Sequence, residues 1–239
     1  MDSMIRAVGV DLDGTLLQLS DDFIPQYLRL VNDWVAPRLN LDSLLSKAIW
    51  ETTMWATAKD HGDILFQDAF YRNLCQALGV SRQTVEEVFA TFYRTVFPDL
   101  RYLGHPVVGA MGFLTQLQAM GLRVALLTSP VFPKMAIEER LVWAGLEGFP
   151  FDWISSFEVV HAAKPHPAYY GEAAKILGIE PRHWLMVGND LEADIRPAVA
   201  TGMQAWWVND RDLPDDLQGK AFHGTFHRLL EMLKTRYIL

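Results

Sequence analysis

Two carboxylates, Asp11 and Asp13, directly follow a short apolar run over residues 7–10 and precede Gly14. Because side chains alternate along a strand, both carboxylates are predicted to lie on one side at its carboxyl end, where open α/β sheets bind ligands. One carboxylate could attack an electrophile while the other moves a proton, which are the two operations of phosphoryl transfer to a carboxylate. Gly14 permits a turn, and Thr15 can hydrogen-bond within it. Taken alone, the motif also suits an acidic strand end that faces water.

Other parts of the chain decide between these alternatives. A calcium loop is excluded, because its sixth position requires glycine and, counted from Asp11, holds Leu16. Three further polar sets lie where predicted strands end or helices begin. They are Thr128-Ser129, Lys164-Pro165, and Asn189-Asp190 with Asp194. Singly, Lys164 could belong to a solvated loop, and Asp190 or Asp194 could be an ordinary acid at a helix N-terminus. Together with Asp11 and Asp13, they form a candidate site.

The elements that must position these residues follow from hydrophobic periodicity. Short apolar runs alternate with amphipathic patterns that end at glycines, and this order is typical of a parallel sheet covered by helices. After the first strand, the predicted strands cover residues 122–128, 151–155, 184–187 and 204–208. The predicted helices cover residues 109–120, 133–144, 167–177 and 192–201, and one closing helix covers 222–239. We therefore predict an α/β fold with a Rossmann-like parallel sheet.

Residues 17–103, called the helical insert below, show a different pattern. Amphipathic helices are predicted over residues 22–35, 41–59, 64–78 and 81–97, and no strand is predicted among them. We therefore expect an all-helical domain over residues 17–103, inserted into an α/β domain formed by residues 1–16 and 104–239.

Composition narrows the class of protein. The chain has 239 residues, half of them hydrophobic, so it can bury a substantial core. Its formal net charge is -8, and no predicted element carries a Lys/Arg cluster, which argues against a nucleic-acid polymer or an anionic membrane as partner. The single cysteine, Cys75, cannot form an internal disulfide, and no apolar run approaches the roughly 18 residues of a membrane span. We expect a cytoplasmic protein.

With its four polar motifs in this order, the chain resembles the haloacid dehalogenase-like superfamily over essentially its whole length. The helical insert is similar to the cap of that superfamily's phosphatase and phosphomutase branch. The resemblance implies that the first strand lies between the strand before Thr128 and the strand before Asp190. It also implies phosphate chemistry, because carbon-halogen enzymes of this superfamily lack an acid at the position of Asp13.

The resemblance implies a role for each motif residue in Mg²⁺-dependent hydrolysis of a phosphate monoester. Asp11 is the nucleophile, Asp13 the acid and base, and Thr128 and Lys164 contact the phosphate. The metal ligands are Asp11, Asp190 and the backbone carbonyl of Asp13. Asp194 orients Lys164 or a metal-bound water, and Asn189 is a neighbouring polar ligand or a structural residue. Some relatives carry an acid directly after the glycine, and we favour Asp190 over Asn189 as the metal ligand.

The substrate is expected to be a small phosphorylated metabolite. Ser129-Pro130 replaces the Asn-Gly common after the threonine, so Ser129 is a candidate substrate contact. The loop over residues 59–63 joins two predicted helices, and its His61 is a second candidate. Two other functions would keep the same residues, namely a phosphomutase of a sugar phosphate and a regulatory protein with an idle pocket. The presence of both Asp13 and Lys164 argues against the idle pocket.

Overall fold

The computed structural model describes residues 4–41 and 45–236. Over these residues the chain forms strands and α-helices joined by short 3-10 and π turns. The strands are β1 (Ala7–Val10), β2 (Leu17–Leu19), β3 (Gly104–Pro106), β4 (Arg123–Leu126), β5 (Trp153–Ile154), β6 (Trp184–Gly188), β7 (Gln204–Trp207) and β8 (Phe222–His223). The helices are α1 (Phe23–Leu30), α2 (Ala36–Arg38), α3 (Leu45–Thr57), α4 (Phe66–Leu78), α5 (Arg82–Thr95), α6 (Ala110–Ala119), α7 (Lys134–Trp143), α8 (Pro167–Leu177), α9 (Arg196–Ala200) and α10 (Phe226–Arg236).

Six strands form one parallel sheet in the order β5-β4-β1-β6-β7-β8. In its centre, Ala7 of β1 pairs with Arg123 of β4 on one side and with Trp184 of β6 on the other. Backbone pairing continues past the end of β1, because the Asp11 amide donates to the Val187 carbonyl at 2.9 Å. The predicted α/β fold is confirmed, and the strands that precede Thr128 and Asp190 flank β1 as expected.

Burial explains why β1 is central. All four of its residues are buried, as expected for a parallel strand covered by helices on both faces of the sheet. One pair of helices, α6 and α10, packs through stacked rings of Phe113 and Phe226, whose centroids are 4.3 Å apart. A second pair consists of α8 and α9. The sheet is therefore a rigid platform whose carboxyl edge carries the candidate site.

The helical insert contains a strand that the sequence does not predict. Leu17–Leu19 forms β2 and pairs antiparallel with β3, so that Leu17 lies opposite Pro106. The expectation of no strand in the insert was therefore wrong. Three residues carry too little alternation to reveal a strand, and their partner lies at the far end of the insert.

The end of the chain also differs from the prediction. A single helix over residues 222–239 was expected, but Phe222–His223 adds β8 to the sheet edge beside Trp206 and Trp207. Gly224 then turns the chain with a φ of +135°, and α10 begins at Phe226. Residues 237–239, like residues 42–44 within the predicted helix over 41–59, lie outside the described part.

Aromatic side chains pack the helical insert against the core. The rings of Phe97 and Trp143 stack with centroids 5.3 Å apart, which joins the insert to α7. Within the insert, the hydroxyls of Tyr27 and Tyr93 lie 2.8 Å apart and hydrogen-bond to each other. Such pairs bury large apolar areas and fix relative orientation. Over residues 4–41 and 45–236, no helix has the length and apolarity needed to cross a membrane.

Candidate active site

A buried ionic cluster lies at the carboxyl edge of the sheet. The Lys164 ammonium donates to Oδ1 of Asp11 at 2.7 Å and to Oδ1 of Asp194 at 2.6 Å. Asp11 directly follows β1, Lys164 lies in the loop before α8, and Asp194 lies in the π turn after β6. All three residues are buried, with Asp11 7% exposed. The structure thus brings together three of the predicted residues from distant parts of the chain.

Burial and charge shape the protonation of this cluster. Burial raises the pKa of Asp11, and the nearby Lys164 ammonium only partly opposes the shift. Burial and the charge of Asp11 together raise the pKa of Asp194 to about 7. Burial alone would lower the pKa of Lys164, but the two carboxylates outweigh it and hold that pKa well above its usual value. Lys164 is therefore a permanent cation shared by two carboxylates.

Gly188 allows Asp194 to reach this cluster. A Cβ added at Gly188 would lie only 2.2 Å from Oδ2 of Asp194, so any larger residue would displace that carboxylate. The same Oδ2 accepts a hydrogen bond from the Asp190 amide at 3.1 Å. Both oxygens of Asp194 are therefore held, one by the backbone and one by Lys164, which fixes the position of the ammonium.

The turn after Asp13 packs against Asn189. Gly14 adopts a φ of +84°, as its predicted role requires, and a Cβ there would lie 2.3 Å from Nδ2 of Asn189. The Thr15 hydroxyl donates to Oδ1 of Asn189 at 3.1 Å, and the Trp207 indole donates to the Asn189 carbonyl at 2.8 Å. The Asn189 side chain therefore lies against the turn that carries Asp13.

Asp190 has a different environment. Its side chain is exposed, and Oδ1 accepts from the amides of Glu192 at 2.7 Å and Ala193 at 2.9 Å. This is the hydrogen bonding of an N-cap residue, which satisfies amides that have no partner within the helical turn. One oxygen of the predicted metal ligand therefore caps the helical turn at Leu191.

Arg140 is a residue of the site that sequence reasoning missed. It lies on α7, is fully buried, and pairs through Nη1 with Oδ2 of Asp13. Its guanidinium also lies 4.7 Å from the ring centroid of Phe132. The signal for it is present in the sequence, because Arg140 takes an apolar-face position in the helical spacing set by Ile137 and Leu141. A charge at such a position requires a buried partner.

Thr128 and its neighbours form a further polar part of the candidate site, beside the ionic cluster. The Thr128 carbonyl accepts from the hydroxyls of Tyr169 at 2.8 Å and Ser155 at 3.0 Å, neither of which was predicted. The Thr128 hydroxyl is buried and has no partner among the described residues. Three other buried side-chain atoms in the described ranges share this condition near the site. They are Oδ1 of Asp13, Nη2 of Arg140 and Oγ of Ser156. Unpaired buried donors and acceptors are costly, and their concentration marks a place built for a polar ligand.

The oxygen donors at the sheet edge suit a small hard cation. In the described ranges, no group of three or more His, Cys, Asp and Glu side chains could hold a metal ion. The predicted set has two carboxylates and one backbone carbonyl, and Mg²⁺ usually takes one or two carboxylates together with waters. The buried cluster also holds two carboxylates for one ammonium. An additional cation would balance that charge, so the residues present fit Mg²⁺.

The two candidate substrate contacts have different surroundings. Ser129 is half-buried and directly follows Thr128. The His61 ring lies between Trp55 and Phe66, and its Nε2 is 2.9 Å from the Ala56 carbonyl. The loop over residues 59–63 contacts the loop that carries Lys164, through a bond from the His61 amide to the His161 carbonyl at 3.3 Å.

Comparisons with known proteins bear on this arrangement. The sequence profile of the haloacid dehalogenase-like hydrolases matches residues 5–202. A phosphoserine phosphatase of Thermus thermophilus is 30% identical over 151 residues, 63% of this chain and 57% of that protein. A glyceraldehyde 3-phosphate phosphatase of Methanopyrus kandleri is 26% identical over 225 residues, 89% of this chain and 92% of that protein. A crystal structure of a HAD phosphatase from Thermococcus onnurineus matches with a TM-score of 0.59 at 22% identity, over 98% of this chain and 100% of that one.

The profile match and the structural likeness agree with the α/β fold. The chain spans a little over half the length of the Thermus relative and nearly the whole length of the Methanopyrus relative. The structural match, at 22% identity, shows the fold alone. Both curated relatives are named as phosphatases, in agreement with the predicted class of enzyme. The chain belongs to the haloacid dehalogenase-like hydrolases.

Proposed function

We propose that this protein hydrolyses a small-molecule phosphate monoester through an aspartyl-phosphate formed on Asp11. The observation that carries the proposal is the buried contact of 2.7 Å between Asp11 and Lys164, beside the unpaired Thr128 hydroxyl. A buried carboxylate supported by a fixed cation is suited to attack a phosphate dianion, because the cation offsets the repulsion between nucleophile and substrate. The phosphatase names of the two curated relatives support the same class of reaction.

In the first step, a carboxylate oxygen of Asp11 attacks phosphorus and the bond between phosphorus and the alcohol oxygen breaks. Asp13 gives a proton to the departing alcohol. Arg140 holds one oxygen of Asp13, while Oδ1 has no partner among the described residues and is available for proton transfer. Lys164 and the Thr128 hydroxyl bind the phosphate oxygens and keep them in line with Asp11.

In the second step, a water molecule attacks the phosphorus of the aspartyl-phosphate and gives its proton to Asp13. The acyl-phosphate bond breaks, Asp11 regains its carboxylate, and inorganic phosphate leaves. Asp13 thus ends the cycle in the protonated form in which it began. Lys164 serves both steps, because it faces the same phosphate in each, and Asp194 keeps its ammonium in place.

Asp11, Asp190 and the backbone carbonyl of Asp13 would hold a Mg²⁺ ion, whose charge screens the nucleophile from the phosphate. Asn189 lies beside the turn that carries Asp13 and is the alternative side-chain ligand. Residues 1–16 and 104–239 would form the catalytic core, with residues 17–103 as the cap that covers the active site. Ser129 is the proposed contact to the rest of the substrate, and His61, whose Nε2 already lies at the Ala56 carbonyl, is a proposed minor contact.

A panel of metabolite phosphate esters, assayed for inorganic phosphate, tests the proposal. We expect release of phosphate with Mg²⁺ present, loss of activity with EDTA, and recovery when Mg²⁺ is restored. Formation of an isomeric sugar phosphate without free phosphate would indicate a phosphomutase instead. No turnover of any ester by the folded protein would contradict both and support a regulatory role.

A further inference from the structure

An apolar cavity of about 120 Å³ lies between the helical insert and the loops that follow β4 and β5. It is called the aromatic cavity below. None of its fifteen lining residues carries a formal charge at neutral pH. Rings contribute a large share of its wall, including those of Tyr27, Phe70, Tyr71, Phe89, Phe132 and Phe157. The cavity can therefore solvate an apolar group but has no side chain to pair with a second anionic or cationic group.

The aromatic cavity adjoins the candidate active site at Phe132. This ring lines the cavity and also contacts the guanidinium of Arg140, which pairs with Asp13. On another wall, Phe157 follows the segment in which Ser155 donates to the Thr128 carbonyl. Residues that surround the reacting phosphate and residues that line the cavity therefore share the same two loops.

Two hydroxyl groups of the cavity wall are engaged with each other. The hydroxyls of Tyr27 and Tyr93 form a mutual hydrogen bond at 2.8 Å. Burial raises the pKa of Tyr27 to about 12, so this pair is neutral at physiological pH. A polyhydroxylated sugar would find few free partners here and would lose its hydrogen bonds to water. An apolar group would lose none.

The cavity has a mouth toward solvent on the side of the helical insert. Trp50 and Ile24 line it and are 51% and 38% exposed, so this part of the cavity wall faces solvent. An alcohol carrying an apolar group could enter along this face. Its size is bounded, because an apolar cavity of about 150 Å³ binds benzene.

We propose that the preferred substrate is the phosphate monoester of an alcohol that carries an uncharged, apolar group about the size of one ring, seated in the aromatic cavity. This inference rests on the proposed phosphatase function and adds the substrate class to it. It separates this chain from its curated relatives, which are named for phosphoserine and glyceraldehyde 3-phosphate.

The test compares kcat/KM for benzyl phosphate and glycerol 3-phosphate with Mg²⁺. Both are esters of primary alcohols, so the two leaving groups need similar help from Asp13. Burial of the ring should favour benzyl phosphate by about tenfold or more. Thr53→Trp, on a half-buried cavity-lining residue of α3, should fill the cavity and abolish that preference without lowering activity on glycerol 3-phosphate. Met54→Trp is the matched control, because Met54 is 53% exposed and does not line the cavity.

Each outcome separates the inference from the proposed function. If glycerol 3-phosphate is hydrolysed as well as benzyl phosphate, or if Thr53→Trp leaves the preference unchanged, the substrate class is wrong and the phosphatase stands. If Thr53→Trp does not fold by circular dichroism, Leu28→Trp fills the same cavity from α1 and is held to the same result. If no ester is hydrolysed, the proposed function fails. Calorimetry with benzylphosphonate and methylphosphonate then tests whether the cavity binds an apolar group. Tighter binding of benzylphosphonate is expected, and equal affinities would overturn the inference.

Discussion

The ionic cluster of the candidate active site and the aromatic cavity beside it are built from opposite kinds of side chain. They are called the ionic wall and the apolar wall below. At the sheet edge, Asp11, Lys164 and Asp194 form a buried ionic cluster in which the Lys164 ammonium donates hydrogen bonds of 2.7 and 2.6 Å to the two carboxylates. Toward the helical insert, the aromatic cavity carries no charge. In the proposed reaction, the ionic wall meets only the phosphate, which is the group common to all monoesters. The apolar wall meets the alcohol, so we assign substrate selection to it.

The largest effect is expected from Asp11→Asn. The substitution keeps shape and hydrogen bonding but removes the nucleophile, so kcat should fall by at least about 10³-fold for every ester. With so little activity left, the preference between benzyl phosphate and glycerol 3-phosphate should no longer be measurable. Thermal unfolding should show an intact fold. Near-normal kcat would refute the assignment of Asp11.

Lys164→Ala should lower activity on all esters by a similar factor, about 10²-fold or more, because the lost charge faces the phosphate. It also leaves two buried carboxylates without their cation and should lower the free energy of unfolding by about 3–5 kcal/mol. Lys175→Ala, on an exposed lysine of α8, is the matched control. The double variant Lys164→Ala/Asp194→Asn should regain stability without regaining activity. A loss of activity that differs between esters would contradict the assignment of substrate selection to the apolar wall.

Arg140 contacts Asp13 on one side and Phe132 of the apolar wall on the other. Its removal should therefore lower kcat by a factor that depends on the leaving group. Arg140→Ala frees Asp13 from its partner, and we expect kcat to fall by about 10²-fold for alkyl esters. The loss should be smaller for nitrophenyl phosphate, whose leaving group needs little protonation. Arg140→Lys should restore part of the activity if positioning of Asp13 is the role. An equal loss for every leaving group would indicate that Arg140 serves packing alone.

Asp190→Ala and Asn189→Ala separate the two candidate metal ligands. Loss of a ligand should raise the Mg²⁺ concentration needed for half-maximal activity by about 10–100-fold. Asp190→Ala also removes a helix cap and should cost about 1 kcal/mol of stability. We expect the larger shift in Mg²⁺ dependence from Asp190→Ala. A larger shift from Asn189→Ala would identify Asn189, rather than Asp190, as the metal ligand.

The smallest effect is expected from His61→Ala. Its Nε2 already lies at the Ala56 carbonyl and its ring packs between Trp55 and Phe66. The ranking of substrates should therefore change by less than about threefold, far less than for Thr53→Trp. A larger change in kcat/KM ratios would return substrate selection to the loop over residues 59–63.

The sequence predicts most of the sheet, because the local hydrophobic periodicity of each longer strand and helix indicates its type. Three strands are missed for a physical reason. Leu17–Leu19, Gly104–Pro106 and Phe222–His223 are too short to show a pattern, and their strand character comes from distant partners. Local pattern cannot encode such pairings.

In the site, the sequence identifies the residues that carry charge after strands, namely Asp11, Asp13, Lys164 and Asp194, and the structure places them within one region. Arg140 was missed because its spacing made it part of a helix face, although a charge on that face is itself a signal. The aromatic cavity could not be predicted. It depends on how the rings of the helical insert pack against Phe132 and Phe157, which periodicity does not specify.

The most direct test of the account is to trap the phosphoryl group on the enzyme. Protein mixed with a hydrolysed ester and Mg²⁺ is quenched within one turnover and treated with borohydride, which reduces an acyl phosphate to the alcohol. Mass spectrometry of the peptide that contains residues 7–16 then locates the change. We predict conversion of Asp11 to homoserine only when the ester is present, with Asp13 unchanged. Turnover without modification of Asp11, or modification of another residue, would contradict the account.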